Sequence, residues 1–264
     1  MKKRAVLLFL LCGITNAAIA QSTTQIDSIH KDTVKNITFS YKQLIIPTAL
    51  ISYGVIGLDS DQLKSWNGQV RDKAMDIDQK ISIDDFSQWT PAASVFALNA
   101  FGDKGKNNLQ DRATIIITSY VIWTSTVFAL KSITHVQRPD GTTYDSFPSG
   151  HTANAFAGAE FLRQEYKDKS VWYGIAGYAV AAGTGIFRIV NNRHWLTDVA
   201  AGAGIGILST KIAYWTNPYI KRKLFGKNSN ATEENMGTEK SKSTSIILPS
   251  YDGKTVGLTF IKTF

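Results

Sequence analysis

Cysteine is nearly absent from this sequence of 264 residues: Cys12 is its single example. It lies within residues 1–20, which are typical of a secretory signal peptide, with a basic start, an apolar stretch from Ala5 and a small-residue cleavage pattern at 18–20. Removal of that peptide would leave a chain without thiols, which excludes disulfides, thiolate zinc sites and cysteine nucleophiles. We therefore expect an exported protein.

Metal and nucleotide motifs are also missing. No cluster of histidines and carboxylates has metal-ligand spacing, and no P-loop sequence occurs. Gly202 and Gly206 lie one turn apart on a predicted helix and do not follow a strand, so they indicate close helix contact rather than a dinucleotide site. We predict no metal and no cofactor.

Positive charge is in excess, with a formal net charge of +8 at pH 7. Such an excess suits nucleic acid, an anionic membrane surface or a phosphorylated substrate. Export argues against nucleic acid, so we expect the partners to be a phosphorylated substrate and a membrane surface or bilayer.

Uncharged stretches of helical length dominate the middle of the chain, at 44–58, 113–130, 171–187 and 199–209. They predict helices. Thr90-Pro91 is typical of a helix start, whereas the polar segment 59–88 is predicted as a solvated hairpin or lid. The predicted organisation is a signal peptide (1–20), a polar lead-in (21–43), a helical domain (44–220), a charged linker (221–243) and a β-hairpin (244–264) with its turn at Asp252-Gly253.

The chemistry-bearing residues lie in three short segments. In the first, Lys131 and Arg138 are seven residues apart, which is two helical turns, so both could face one point near a helix end that Pro139 terminates. An arginine fork and a lysine ammonium both suit phosphate oxygens.

The second and third segments add an anion site and an imidazole pair. Pro148-Ser149-Gly150-His151 is typical of a helix start, where Ser149 caps and Gly150 lets a ligand approach free N–H groups. The third segment contains Arg188, and its His194 and Asp198 are spaced i and i+4, which places them on one helical face. A carboxylate there could hold one imidazole nitrogen while the other attacks.

Each of these residues alone has an ordinary structural explanation, such as a helix-end charge or a buried histidine. Together they supply three cations, a helix N-terminus, an oriented imidazole and a second histidine. Phosphoryl transfer needs mainly positioning and neutralisation of charge on the equatorial oxygens.

The motifs K-x6-R-P, P-S-G-H and R-x5-H-x3-D, in this order, resemble the type 2 phosphatidic acid phosphatase and vanadium haloperoxidase superfamily over residues 90–215. The resemblance implies an all-helical bundle in which His194 is the nucleophile, Asp198 orients it and His151 protonates the leaving oxygen. It also implies phosphate binding by a further set of residues: Lys131, Arg138, Ser149, Gly150 and Arg188. Phe187 stands where the family usually has serine, so we expect an altered substrate preference.

The expected function is a metal-independent phosphatase that acts through a phosphohistidine on an envelope lipid, such as phosphatidate, undecaprenyl pyrophosphate or lipid A. The alternatives are a soluble periplasmic acid phosphatase, a vanadium-dependent haloperoxidase and a non-catalytic envelope protein that retains the fold.

The location follows from charge and helix length. Basic residues gather at the helix ends opposite the motifs, which predicts an active site that faces the periplasm. The apolar runs are shorter than the ~20 residues that a span requires, which argues against crossing. We favour membrane association over a soluble periplasmic protein.

Overall fold

The computed structural model describes residues 40–77, 82–225, 244–251 and 256–263. Within these residues, a 3-10 turn at Tyr41–Leu44 precedes eight α-helices. They are α1 (Ile45–Ile56), α2 (Asp61–Met75), α3 (Asp84–Ser87), α4 (Thr90–Ala100), α5 (Leu109–Thr134), α6 (Gly150–Tyr166), α7 (Val171–Val190) and α8 (Leu196–Phe225). The all-α prediction is confirmed.

Side-chain caps fix where several of these helices begin. The Asn108 side chain accepts a hydrogen bond from the Asp111 amide at 2.8 Å at the start of α5, and Ser60, Ser149 and Ser170 cap α2, α6 and α7 in the same way. Pro91 lies in the first turn of α4, where its missing N–H costs nothing, so the helix predicted at Thr90-Pro91 is confirmed.

Helix α6 is the centre of the bundle. It is buried along most of its length and packs against α5, α7, α8 and α4. Two glycines of α8 allow its close approach: a Cβ at Gly202 would lie 2.4 Å from the Ser149 carbonyl, and one at Gly206 would lie 2.2 Å from the Ala153 carbonyl. The interpretation of these glycines as helix-contact residues is confirmed, and the contact fixes the start of α6 against the start of α8.

The segment 59–88 differs from the hairpin or lid that its polar composition predicted. It contains helices α2 and α3, and α2 contacts α8 through a buried hydrogen bond from the Asn67 amide nitrogen to the Thr197 hydroxyl at 2.8 Å. Single polar side chains with partners far along the chain hold this segment in place, and local hydropathy does not record such partners.

Three of the described helices are long and apolar enough to cross a membrane: Leu109–Thr134, Val171–Val190 and Leu196–Leu224. The segments Tyr41–Ile56 and Asp61–Met75 together pass the same test but are bent by 95° at the break between them. The uncharged runs are shorter than the helices because each helix continues past a charged residue that bounds its run, such as Lys131 in α5, Arg188 in α7 and Asp198 in α8. These helices support membrane association.

The C-terminal strands β1 (Thr244–Tyr251) and β2 (Val256–Thr263) pair antiparallel, with Thr244 opposite Thr263 and Tyr251 opposite Val256. The predicted hairpin turn at Asp252-Gly253 lies outside the described residues, as do the signal peptide, most of the lead-in and residues 226–243. Helix α8 continues to Phe225, past the boundary predicted at residue 220.

Candidate active site

The three motif segments meet at one end of the bundle, where α5 and α7 end and α6 and α8 begin. The backbone N–H of Ser149 donates to the Asp198 carbonyl at 3.0 Å, which ties the second motif to the third. The Lys131 ammonium, in the last turn of α5, donates to the backbone carbonyls of Asp145 and Ser146 in the loop that leads to α6. Helix packing and backbone contacts therefore set the positions of these residues.

The prediction that Lys131 and Arg138 share a helix is wrong. Helix α5 ends at Thr134, because His135 adopts a left-handed conformation with φ of 47° and turns the chain out of the helix. The loop then folds back on itself, with the Ser146 amide bound to the Val136 carbonyl at 2.9 Å. Arg138 reaches the site from this loop.

Arg138 is held by a carboxylate that the motifs did not indicate. Its Nε and Nη2 donate to the two oxygens of Asp145 at 2.8 and 3.0 Å. Burial by itself would raise the pKa of Asp145, but hydrogen bonds from Arg138 and Thr143 and the nearby positive charges outweigh it and lower the pKa to about 2. Asp145 is therefore ionised at neutral pH and occupies the arginine fork.

Arg188 is buried at the C-terminal end of α7. Its Nη1 donates to Asp84 of α3 at 2.6 Å, and Asn191 donates to the other oxygen of Asp84 at 2.9 Å. The Arg188 Nε is also buried, yet it has no hydrogen-bond partner within the described part of the chain. A buried donor without a partner is costly, and a ligand anion would satisfy it.

His194 and Asp198 form a pair, although they do not share a helix as predicted. His194 lies in the turn that precedes α8, so the turn, rather than helical periodicity, sets their separation. The His194 Nδ1 is 3.6 Å from Oδ2 of Asp198, and both are almost fully buried. Ser146 donates to the same carboxylate oxygen at 2.5 Å and lies 3.5 Å from the His194 Nδ1.

The His194 imidazole is neutral at physiological pH. Burial lowers its pKa to about 4, the positive charges of Arg188 and Lys131 act in the same direction, and Asp198 opposes them. A neutral imidazole keeps a lone pair for attack. The same shift shows that Lys131 and Arg188 lie within electrostatic range of this ring.

His151, in the first turn of α6, faces a second aspartate of α3. Its Nε2 lies 2.9 Å from Oδ1 of Asp85. Burial and then the charge of Arg188 lower the pKa of His151, whereas Asp85 raises it. His151 and His194 therefore both lie within electrostatic range of Arg188, one in the helix start and one in the turn before α8.

Ser149 and Gly150 occupy the helix start as predicted. The Ser149 hydroxyl is fully buried and engaged in the cap, 2.9 Å from the Thr152 hydroxyl. A Cβ at Gly150 would meet only Val127 Cγ1, at an ordinary 3.7 Å. Packing within the protein does not require this glycine, so the absence of a side chain leaves room beside the N-terminal amides of α6.

Lys131 lies within electrostatic range of Arg138, Arg188 and Asp198, so the structure brings the predicted basic groups to one end of the bundle. Sequence reasoning missed four residues that hold them in place: Asp84, Asp85, Asp145 and Ser146. Buried cations require carboxylate partners, so the sequence indicates that such partners exist. It does not indicate which aspartates or glutamates of the chain they are.

Comparison with known proteins supports the resemblance. Residues 112–222 match the family model of the PAP2 superfamily, and all the predicted site residues lie within that range. The resemblance inferred from the three motifs is therefore confirmed over this part of the chain.

Two curated proteins are similar to this chain. It is 41% identical over 160 residues to the lipid A 1-phosphatase of Porphyromonas gingivalis, a match that covers 60% of this chain and 36% of that protein. It is 39% identical over 76 residues to the bacitracin transport permease protein BcrC of Bacillus licheniformis, covering 29% of this chain and again 36% of that protein. The chain thus spans about a third of the length of these relatives.

A solved structure shares the fold. The transmembrane PAP2 type phosphatidylglycerolphosphate phosphatase from Bacillus subtilis superposes with a TM-score of 0.52 at 21% identity, covering 69% of this chain and 99% of that one. At this identity the likeness shows the PAP2 fold alone.

Proposed function

We propose that this chain is a metal-independent phosphatase that hydrolyses a phosphomonoester or pyrophosphate of an envelope lipid through a phosphohistidine at His194. The observation that carries the proposal is the buried neutral imidazole of His194 within range of Lys131 and Arg188, whose Nε lacks a partner among the described residues. Such a site attracts an anion and presents a nucleophile to it.

The substrate phosphoryl group binds to the cations and the helix start. Its equatorial oxygens contact Lys131, Arg138 and Arg188 and the N-terminal amides of α6 at Gly150, which neutralise the charge of the transferring group. Ser149 supports this cradle by fixing the first turn of α6. Asp145 releases or shares the Arg138 fork as the phosphate enters.

The first chemical step transfers the phosphoryl group to the protein. The Nδ1 of His194 faces Asp198, so Nε2 attacks phosphorus. The bond from phosphorus to the leaving oxygen breaks, and that oxygen takes a proton from His151. Asp198 stabilises the positive imidazole that results.

The second step returns the protein to its starting state. The neutral His151 accepts a proton from a water molecule, whose oxygen attacks the phosphorus. The bond from phosphorus to Nε2 breaks, inorganic phosphate leaves, and both histidines regain their initial protonation. In this cycle Asp85 orients His151, Asp84 holds Arg188, and Ser146 keeps Asp198 in place.

The lipid assignment is supported by the three apolar helices and by relatives named for lipid phosphates. The site lies where α5 and α7 end and α8 begins, so a bilayer around these helices would bring lipid head groups to its level. The basic residues at the opposite ends favour a site on the periplasmic side, and residues 1–20 favour export.

The test is a phosphate-release panel with the purified full chain in detergent. It compares phosphatidate, undecaprenyl pyrophosphate, lipid A and water-soluble esters, with and without a metal chelator and with vanadate. We expect turnover of a lipid substrate that survives chelation and is inhibited by vanadate. Loss of activity on chelation would contradict the metal-independent mechanism. Turnover of water-soluble esters alone would favour a soluble acid phosphatase. Halide oxidation by the vanadate-loaded protein would favour a haloperoxidase.

A further inference from the structure

A groove with a volume of about 550 Å³ lies at the end of the bundle away from the active site. It is formed by the last turn of α6 and the first half of α7. The side chains of Val171, Ile175 and Ala179 make an apolar wall, and Arg163 and Lys167 stand at its α6 edge. The combination of a cationic edge and an apolar wall has no role in the proposed chemistry.

The edge of this groove carries net positive charge. Arg163 makes a bidentate contact with Glu160, at 2.8 and 2.7 Å, and the buried Lys211 donates to the same carboxylate at 2.7 Å. One carboxylate therefore serves two cations. The exposed Lys167 adds a further charge, because its hydrogen bond goes to the neutral amide of Gln164.

The position of Arg163 is fixed by packing. A Cβ at Gly174 would lie 2.7 Å from the Arg163 Cγ, so only glycine lets the arginine stem lie across α7 at this point. Tyr178, which lines the groove, donates at 2.5 Å to the Glu160 Oε2 that also accepts from Arg163 Nε. The cationic edge is therefore a built feature.

The surroundings place this groove against lipid if α7 spans the bilayer. Helix α7 is one of the three candidate spans, and its first residues expose large apolar surfaces: Val171 is 64% exposed and Trp172 is 70% exposed. A tryptophan at the end of a span is typical of the level of the head groups. The mouth of the groove would then meet head groups, and its wall would meet acyl chains.

We propose that this groove binds one anionic phospholipid of the surrounding leaflet, with its phosphate at Arg163 and Lys167 and an acyl chain along Val171, Ile175 and Ala179. Charge complementarity selects the anionic head group, and the apolar wall selects a lipid over a free anion. The proposal depends on the membrane association of the chain but not on its catalysis, because the site lies at the opposite end.

Native mass spectrometry of the full chain, released from neutral detergent, tests the proposal by counting bound phosphatidylglycerol and phosphatidylcholine across a titration. We expect wild type to bind one phosphatidylglycerol in preference to phosphatidylcholine. Lys167→Glu should weaken that binding by about tenfold, because the charge reversal removes an attraction for the phosphate and adds a repulsion. Ala179→Trp, on the exposed wall, should fill the groove and also weaken it.

The matched control is Lys223→Glu, which makes the same charge change at the same end of the bundle but outside the groove. It should leave phosphatidylglycerol binding unchanged. Three results would overturn the proposal. Wild type could bind the two lipids equally, Lys167→Glu and Lys223→Glu could lose equal amounts of phosphatidylglycerol binding, or glycerol phosphate could displace the lipid completely. Phosphatase activity is measured separately and bears only on the site at the other end.

Discussion

Two clusters that contain charged residues lie at opposite ends of the central helix α6, and one is structural whereas the other is functional. The closed cluster consists of Glu160, Arg163, Gln164, Tyr178 and Lys211, and every member contacts the Glu160 carboxylate. The open cluster consists of Lys131, Arg138, His151, Arg188 and His194. It contains a buried Arg188 Nε that has no partner in the described residues. The contacts of the closed cluster stabilise the fold and leave Arg163 34% exposed at the edge of the groove, whereas the buried Arg188 Nε of the open cluster awaits a ligand.

The comparison predicts opposite consequences for mutation at the two ends of α6. Changes in the closed cluster should lower stability and spare catalysis in the protein that remains folded. Changes in the open cluster should lower activity and spare stability. Each prediction below tests one side of this contrast.

The largest effect is expected from His194→Ala. It removes the nucleophile, so turnover of the lipid substrate should fall by at least about 10⁴-fold. The variant should remain folded, because His194 lies in a turn and belongs to none of the buried apolar clusters of the described core. Substantial residual turnover in a folded variant would rule out His194 as the nucleophile.

Glu160→Ala should instead unfold the protein at lower temperature. It leaves Lys211, only 6% exposed, without its carboxylate, and such a loss costs about 3–5 kcal/mol. The measurement is the free energy of unfolding in detergent. The double variant Glu160→Met with Lys211→Met should recover much of the loss, because it removes both charges together. A Glu160→Ala protein as stable as wild type would contradict the structural role of the closed cluster.

Paired arginine-to-lysine changes sharpen the contrast. Arg138→Lys should lower kcat/KM by about tenfold to 100-fold, because a point charge replaces a two-pronged contact worth ~1.5–3 kcal/mol. The matched change Arg163→Lys should lower the melting temperature and leave kcat/KM close to wild type. If both variants lost activity equally, the division between the clusters would fail.

The smallest effect is on the pH profile. His194 must be neutral to attack, and its pKa of about 4 sets an acid limb there, below which kcat/KM falls. His151 must be protonated to donate, and burial and the charge of Arg188 lower its pKa below that of an ordinary histidine, so activity falls as the pH rises through this lowered pKa. The optimum is therefore mildly acidic.

Asp85→Asn moves only one side of that profile. It removes a charge that raises the pKa of His151, so the alkaline limb should shift to lower pH while the acid limb stays in place. The control Asp103→Asn alters a carboxylate that contacts Lys169 and Tyr173 at the other end, and it should move neither limb. If the alkaline limb of Asp85→Asn stayed at the wild-type pH, His151 would not be the general acid.

Sequence reasoning reached the open cluster because its cations and histidines fall in three ordered motifs. It could not place Arg138 correctly, since the left-handed His135 ends α5 before the second helical turn is complete. It also placed His194 on a helix that begins only at Leu196. In both cases loops produce the proximity that helical periodicity was expected to produce.

Sequence reasoning missed the carboxylate partners of the cations for a different reason. Asp84 lies 104 residues from Arg188 along the chain, in a segment whose polar composition predicted a solvated lid. The closed cluster was missed in the same way, since Glu160 and Lys211 are 51 residues apart and belong to no motif. Helix content follows from local patterns, but the pairing of buried charges depends on packing.

Trapping of the phosphorylated protein tests the central claim most directly. Wild type is mixed with ³²P-labelled lipid substrate, quenched in alkali within one turnover and digested, and the labelled peptide is sequenced. We expect acid-labile, alkali-stable label on His194 and none in His194→Ala. Label on His151 or on any other residue, or steady turnover with no phosphorylated intermediate at any time point, would contradict attack by His194.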